Sequence, residues 1–155
     1  MISYSYTSEG SYKINEDAIS STENVFIVCD GVDGNPNGHI ASHEVVDFII
    51  SRLSNDKVDV NSIANAIKGA QNHLDALVKK HTHLYKMATT MVLVAINESN
   101  SVFISHLGDS RVYLIKPQKK LYWRTINHTI VQELLDKGEV TIKESKIHQV
   151  QIIKK

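Results

Sequence analysis

The sequence has a single cysteine, no excess of either charge and no long apolar run. Because Cys29 has no possible partner within the chain, an internal disulfide is excluded and a reducing compartment is the simpler interpretation. Lysine and arginine together number 17, as do aspartate and glutamate. This balance gives no support to binding through bulk charge, so we expect neither nucleic acid nor membrane as a partner.

Targeting and membrane signals are also lacking. The first ten residues, MISYSYTSEG, have neither the basic patch nor the apolar core of a secretory signal. Eighteen apolar residues never run together, so a transmembrane helix is not expected. The chain has 155 residues, of which 42% are hydrophobic and 22% charged. Such a length and composition predict one globular, cytoplasmic domain spanning residues 1–155.

The N-terminal part of the chain changes its apolar period from strand-like to helix-like. Asn24 to Cys29 is a short apolar run rich in β-branched residues, which predicts a buried strand. Met1 to Thr7 alternates weakly and predicts an edge strand. From His39 onward, apolar residues recur at steps of three and four, which predicts an amphipathic helix that Asn37 or Gly38 caps.

The rest of the chain predicts a second helix, four short strands and a last helix. The second helix should run from about Asn61 to Lys80, with Asn61 or Ser62 as its cap. Thr129 should cap the last helix and Gly138 should end it. Since helices and strands are grouped in blocks, the order favours an α+β fold with antiparallel sheets in a sandwich. The strands should begin near Thr89, Ser101, Ser110 and Leu121.

Acidic residues cluster at three predicted turns: NED at 15–17, DGVDG at 30–34 and GDSR at 108–111. Each alone is an ordinary turn signal. Together they suit a hard cation, because Mg²⁺ and Mn²⁺ prefer carboxylate and carbonyl oxygens. Two such ions about 3.5–4 Å apart, sharing a carboxylate, would acidify a bridging water and clamp a phosphoryl group for in-line attack. That chemistry needs no nucleophilic serine or cysteine.

Five segments, in this order and at this spacing, give the sequence a family resemblance. They are EGSYKINEDA, FIVCDGVDG…GHIASHEV, MATTMVLVAI, VFISHLGDSRVYLI and NHTIVQELLDKGEVT. The sequence resembles the protein phosphatase 2C-like (PPM-type) metal-dependent Ser/Thr phosphatases, most closely their bacterial branch. The resemblance implies an antiparallel β-sandwich flanked by helix pairs, with four layers in the order α/β/β/α. It also implies a phosphorylated protein as the substrate.

The same resemblance assigns metal-site roles to individual residues. Asp30 is similar to the carboxylate that bridges both metals, and Gly31 to the carbonyl ligand beside it. Asp17, with Glu16, resembles the outer acidic pair that meets the metals largely through water. Asp109 resembles the aspartate that helps bacterial members hold a further, loosely bound metal. A complete site would contain two or more Mn²⁺ or Mg²⁺ ions.

One departure from the family pattern concerns phosphate binding. Relatives usually carry an arginine five residues before the position of Asp17, and this chain has Tyr12 there. A tyrosine lacks the charge and the two-pronged geometry of guanidinium. Lys13 is a substitute point charge, so Tyr12 and Lys13 are the candidate phosphate-binding residues.

A second departure concerns the ligand set. Active relatives supply two more aspartates from the C-terminal part of the domain, and this sequence ends at QIIKK before reaching them. We therefore expect a domain incomplete at its C-terminus: a fragment, a natural short protein without catalysis, or one completed by a partner. The predicted function is metal-dependent phosphomonoester hydrolysis, and this chain alone should be weakly active or inactive. The alternative is a catalytically inactive phosphatase-like binding or regulatory module.

Other reactive residues are given structural roles. His39 and His43 have ligand spacing, but they do not form a His-Glu-x-x-His motif, so zinc is not predicted. Cys29 lies in the predicted buried strand and should only pack there. A cysteine phosphatase would need a Cys-x5-Arg loop, and Asn35 occupies the arginine position.

Overall fold

A computed structural model of the chain describes residues 2–11, 14–32, 37–54, 57–118 and 121–138. The chain divides into two compact units, the first ending at Ser105 and the second starting at His106. Among the described residues, no helix combines the length and the apolar character needed to cross a bilayer.

The first unit is built on a four-stranded sheet in the order β1-β2-β3-β4, whose β1–β2 and β2–β3 pairs are antiparallel. In β2, Val25, Ile27 and Cys29 are buried, as a period of two requires for one core-facing side. The strand predicted at Asn24–Cys29 is thus confirmed with a shift of one residue, which makes Asp30 its last residue. The four strands are Asp17–Ser21 (β1), Val25–Asp30 (β2), Met91–Ile96 (β3) and Val102–Leu107 (β4).

Two long helices, of which the first lies on this sheet, complete the core of the first unit. Helix α1, Gly38–Leu53, packs against β1 and β2, and helix α2, Val60–Lys80, packs against α1. A short 3₁₀ turn, Thr82–Leu84, follows α2. The buried side of α1 includes Ile49 and Leu53, which meet the apolar face of α2 and the sheet in one cluster. Both predicted amphipathic helices are confirmed.

The caps of these helices differ from the predictions. Asn37 occupies the N-cap position of α1, but its side chain makes no capping bond and instead donates to the carbonyls of His83 and Tyr85. Asp59, not Asn61 or Ser62, caps α2, accepting from the Ser62 N–H at 2.8 Å. Ser62 returns the bond to the Asp59 N–H, which completes a capping box. The Ser62 backbone bond lowers the pKa of Asp59.

The second unit contains a two-stranded antiparallel sheet and a short helix. Strand β5, Tyr113–Ile115, pairs with β6, Leu121–Arg124, and helix α3 covers Ile130–Asp136. The Thr129 hydroxyl accepts from the Gln132 N–H at 3.2 Å, which confirms the predicted cap. Past the end of α3, Gly138 has a φ of +71°, a conformation that glycine adopts without strain.

Two element assignments at the N-terminus were wrong. Residues 2–9 form no strand, and Ile2, Tyr4 and Tyr6 are 80%, 94% and 86% exposed. The alternating side chains therefore have no sheet face to cover. In contrast, Asp17–Ser21 forms β1, which the sequence did not predict because DAISS contains few strongly β-forming residues. Pairing with β2 overrides that weak propensity.

Candidate functional site

The pairing of β1 with β2 places two carboxylates directly opposite each other. Asp17 is the first residue of β1, Asp30 is the last residue of β2, and the two are cross-strand partners. The next pair, Glu16 and Gly31, is hydrogen-bonded, since the Gly31 N–H donates to the Glu16 carbonyl at 3.0 Å. Asp17 and Asp30 therefore form a non-hydrogen-bonded pair, the type in which Cα atoms lie about 4.5 Å apart and side chains come closest.

Two threonines fix the backbone of Asp30. The Asp30 N–H donates to Thr90 Oγ1 at 3.1 Å, and the Asp30 carbonyl accepts from the Thr90 N–H at 2.8 Å. The Thr89 hydroxyl donates to the same carbonyl at 2.9 Å. The sequence predicted only that a strand begins near these threonines. Their signal was a pair of hydroxyl residues at a strand end, where side chains often bond a neighbouring backbone.

A close approach of two backbones explains both glycines of the site. Gly31 is buried, and a Cβ there would lie 2.5 Å from the carbonyl carbon of Gly38. A Cβ on Gly38 would in turn lie 2.7 Å from Glu16 Oε2. The turn after Asp30 is thus pressed against the first residue of α1, with Glu16 beside it. Gly38 was predicted only as a cap, so its packing role was missed.

Glu16 carries an unsatisfied buried oxygen. Its Oε2 is buried and has no hydrogen-bond partner among the described residues. A carboxylate oxygen removed from water without a partner is costly. The positive end of the α1 dipole begins at neighbouring Gly38 and offsets part of that cost. A cation near this oxygen would offset more of it.

The segment that precedes β1 forms two hydrogen bonds with Asp17. Its Oδ2 accepts from the Thr7 hydroxyl at 3.1 Å, and its N–H donates to Asn15 Oδ1 at 3.0 Å. These residues border a cleft of about 450 Å³ that His43 also lines. His43 bonds through Nδ1 to the carbonyl of His39 at 2.8 Å, so this histidine is anchored within its own helix.

The structure describes the remaining predicted site residues only in part. Asp109 belongs to the second unit, is half-buried and comes two residues after the end of β4. Tyr12 and Lys13 lie outside the described residues. Four of the predicted metal-site residues are therefore neighbours: Glu16, Asp17, Asp30 and Gly31.

The described part of the chain holds a partial ligand set. Within it, no three histidine, cysteine, aspartate or glutamate side chains converge closely enough to surround one ion. The opposed pair Asp17 and Asp30 nevertheless offers carboxylate oxygens, the hard donors that Mg²⁺ and Mn²⁺ prefer. The residues present fit a divalent cation that needs further oxygens from other groups.

The protein phosphatase 2C family model matches residues 8–137. The chain belongs to the protein phosphatase 2C family. The match corresponds to the N-terminal part of the family's domain. Each predicted metal-site residue, including the opposed carboxylates Asp17 and Asp30, falls inside the matched range.

Curated relatives of this phosphatase 2C chain are bacterial. It is 28% identical over 137 residues to the serine/threonine protein phosphatase PstP of Mycobacterium tuberculosis, covering 86% of this chain and 26% of PstP. It is 28% identical over 131 residues to the protein phosphatase PhpP of Streptococcus pneumoniae, covering 80% of this chain and 51% of PhpP. The chain thus spans about half, or less, of the length of these relatives.

Solved structures agree on the α+β fold of the family. The M. tuberculosis PstP/Ppp structure superposes with a TM-score of 0.81 at 27% identity, covering 92% of this chain and 61% of that one. The catalytic domain of PstP in complex with two manganese ions superposes with a TM-score of 0.76 at 25% identity, covering 90% and 64%. These neighbours confirm the predicted fold class, a β-sandwich flanked by helices.

The only cysteine of this phosphatase 2C chain has a thiol of low reactivity. Cys29 is fully buried in β2, next to Asp30. Burial raises the pKa of its thiol to about 12, with a smaller rise from the neighbouring Asp30 charge and an opposing contribution from Thr89. A thiol with such a pKa stays protonated and is a poor nucleophile. Cys29 therefore lies in a buried strand, as predicted.

Proposed function

We propose that this chain forms part of a divalent-metal-dependent phosphoprotein Ser/Thr phosphatase, with Asp17 and Asp30 at the centre of the metal site. The observation that carries the proposal is their direct cross-strand pairing. Like charges directly opposite each other in a sheet are destabilising. A cation bound by both carboxylates would reverse the sign of that interaction, so we interpret the pair as a ligand pair.

The residues around the pair supply the other features of a metal site. Asp30 is fixed at the end of β2 by Thr89 and Thr90, which limits the loss of freedom on binding an ion. The Gly31 turn follows Asp30 directly, and the buried Glu16 Oε2 lies against Gly38, which that turn contacts. All these groups present oxygen, which suits Mn²⁺ or Mg²⁺. The manganese in the PstP structure supports this assignment.

When bound, the divalent ions would lower the pKa of a coordinated water and neutralise charge on the phosphoryl group. Asp17 and Asp30 would hold that positive charge at the ends of two paired strands, and the buried Cys29 supplies no competing nucleophile. We assign Asp109 to a further metal, and Tyr12 with Lys13 to the substrate phosphate. The proposed substrate is a phosphorylated protein, and the proposed setting is cytoplasmic signalling.

The proposal includes a contribution from outside the described residues. Because the described carboxylates do not surround an ion, the missing oxygens would come from further polypeptide or from a partner that completes the sandwich. Mg²⁺-class ions dehydrate reluctantly, so a partial set should bind them weakly. We therefore propose that this chain alone is at most weakly active.

Hydrolysis of p-nitrophenyl phosphate at millimolar Mn²⁺ tests the proposal. The wild-type chain should show a low rate that requires Mn²⁺ and is lost in Asp30→Asn, because the substitution removes the charge of the central ligand. Asp47→Asn, the same change at an exposed site on α1, should keep the wild-type rate. Equal Mn²⁺-dependent rates in the wild type and Asp30→Asn would contradict the role of Asp30 and favour the binding-module alternative.

A further inference from the structure

A chain of hydrogen bonds from the N-terminal segment ends on the carboxylate of Asp17. Asn15 Nδ2 donates to the Thr7 hydroxyl at 2.8 Å, and that hydroxyl donates to Asp17 Oδ2 at 3.1 Å. Thr7 lies ten residues before Asp17, in a stretch without helix or strand. A contact of this kind orders an otherwise irregular segment around one acidic side chain.

Asn15 holds Asp17 twice. Its Oδ1 accepts from the Asp17 N–H at 3.0 Å, while its Nδ2 donates to the Thr7 hydroxyl. The amide orientation follows from these bonds, because only the oxygen can accept from a backbone N–H and only the nitrogen can donate. Asn15 therefore fixes the backbone of Asp17 directly and its side chain through Thr7.

The direction of these hydrogen bonds is also determined. A threonine hydroxyl has one proton, and the proton of Thr7 is committed to Asp17 because its oxygen accepts from Asn15. The hydroxyl therefore donates to the Asp17 side chain, and hydrogen bonds to charged groups are stronger than neutral ones. Only Oδ2 takes part, and a carboxylate has about four lone-pair positions, so the group keeps capacity for a cation.

We propose that Thr7 and Asn15 are positioning residues that hold the Asp17 carboxylate in one rotamer on the Asp30 side of the sheet. The proposal rests on the metal site put forward above and deepens it. Partners that orient a metal ligand typically change metal affinity by about 10–100-fold when removed. The sequence pattern predicts an edge strand for Thr7 and a turn for Asn15, so neither role was foreseen.

The test compares Thr7→Val with Thr7→Ser. Valine keeps the branched shape and removes the hydroxyl, whereas serine keeps the hydroxyl. The first readout is the Asp17 χ1 rotamer in the metal-free chain, from NMR three-bond couplings between Cγ and the backbone nitrogen and carbonyl carbon. We expect one rotamer in the wild type and Thr7→Ser, and averaged couplings in Thr7→Val. Unchanged thermal melting of Thr7→Val checks that the fold is intact.

The second readout is Mn²⁺ affinity, measured by electron paramagnetic resonance of free Mn²⁺. Thr7→Val should bind about 10–100-fold more weakly, and Thr7→Ser should bind as the wild type does. A single unchanged Asp17 rotamer in Thr7→Val, or equal losses of affinity in both variants, would overturn the proposal. Failure of the metal site itself would appear separately, as equal Mn²⁺ affinity in the wild type and Asp30→Asn, while the rotamer measurement would still decide the role of Thr7.

Discussion

At the scale of single residues, the site breaks the rules that stabilise the rest of the fold. Asp17 and Asp30 oppose each other in a sheet, and Glu16 buries an oxygen without a partner among the described residues. Like charges opposed in a sheet and a buried carboxylate oxygen without a hydrogen bond are each unfavourable arrangements. Local violations of this kind concentrate at functional sites. Cys29, one residue from Asp30, is in contrast a small side chain fully buried in the core, as is usual for a free cysteine.

The buried thiol of Cys29 makes a prediction about alkaline stability. Its pKa rises from 9.0 to about 12 on folding, so an unfolded chain loses this proton at a lower pH than the folded one. The stabilising contribution is complete below pH 9 and is lost as the pH rises toward 12. Between pH 8 and pH 10.5, urea unfolding should show the wild type losing about 2 kcal/mol relative to Cys29→Ala.

Use of Cys29→Ala as the reference removes the titration of lysines and tyrosines, which both proteins share. The cavity left by the substitution shifts the curve of the variant by a constant and leaves the pH slope unaffected. Parallel pH profiles for the two proteins would show that the thiol ionises as easily in the folded state as in the unfolded state.

At the scale of elements, the contact between the end of β2 and the start of α1 determines the shape of the turn. Gly31→Ala places a methyl group 2.5 Å from the Gly38 backbone, which cannot rotate away. We expect this substitution to lower the free energy of unfolding by about 1–3 kcal/mol, the usual cost of overpacking. Chemical denaturation with the slope held to the wild-type value measures the change.

Gly69→Ala is the matched control for that substitution. The added methyl group lies 2.8 Å from the Phe48 ring, the far end of a side chain that can turn aside. Gly69 is inside α2, where alanine is favoured over glycine by about 1 kcal/mol. The control should therefore stay within about 1 kcal/mol of the wild type. A Gly31→Ala variant as stable as Gly69→Ala would contradict the close packing of Gly31 on Gly38.

Helices and buried strands were predictable because their signals are local. The apolar stripes of α1 and α2, the apolar run of β2 and the Thr129 cap all follow from residues close in sequence. The N-cap of α2 was misassigned because Asp59, Asn61 and Ser62 are all good capping residues, and only the bonds distinguish them. Strand β1 was missed because its stability comes from β2, which its own residues do not reveal.

At the scale of the whole molecule, the sequence predicted which residues form the site but not how the strands that carry them pair. The family resemblance named Asp17 and Asp30, but their direct opposition depends on the β1–β2 pairing. A shift of one residue would turn one of the two side chains to the other face. The supporting residues Thr7, Asn15, Thr89 and Thr90 were not predicted, because each acts through a contact rather than through a motif.

The size of the chain sets the expected strength of metal binding. It covers 26% of PstP and 51% of PhpP, and its described residues do not surround an ion by themselves. Binding by a partial oxygen set should therefore be weak, and high Mn²⁺ concentrations are needed to observe it. The location of the ion is a sharper test than its affinity.

The most direct test of the metal site is paramagnetic line broadening in the ¹⁵N-labelled chain during Mn²⁺ titration. The amide signals of Asp17 and Asp30 should broaden together at the lowest Mn²⁺ concentrations, because the two residues are cross-strand partners. Asp30→Asn should abolish the effect at both positions, and Asp47→Asn should leave it unchanged. Broadening of one strand without the other, or the same broadening in Asp30→Asn, would contradict a cation shared by the two carboxylates.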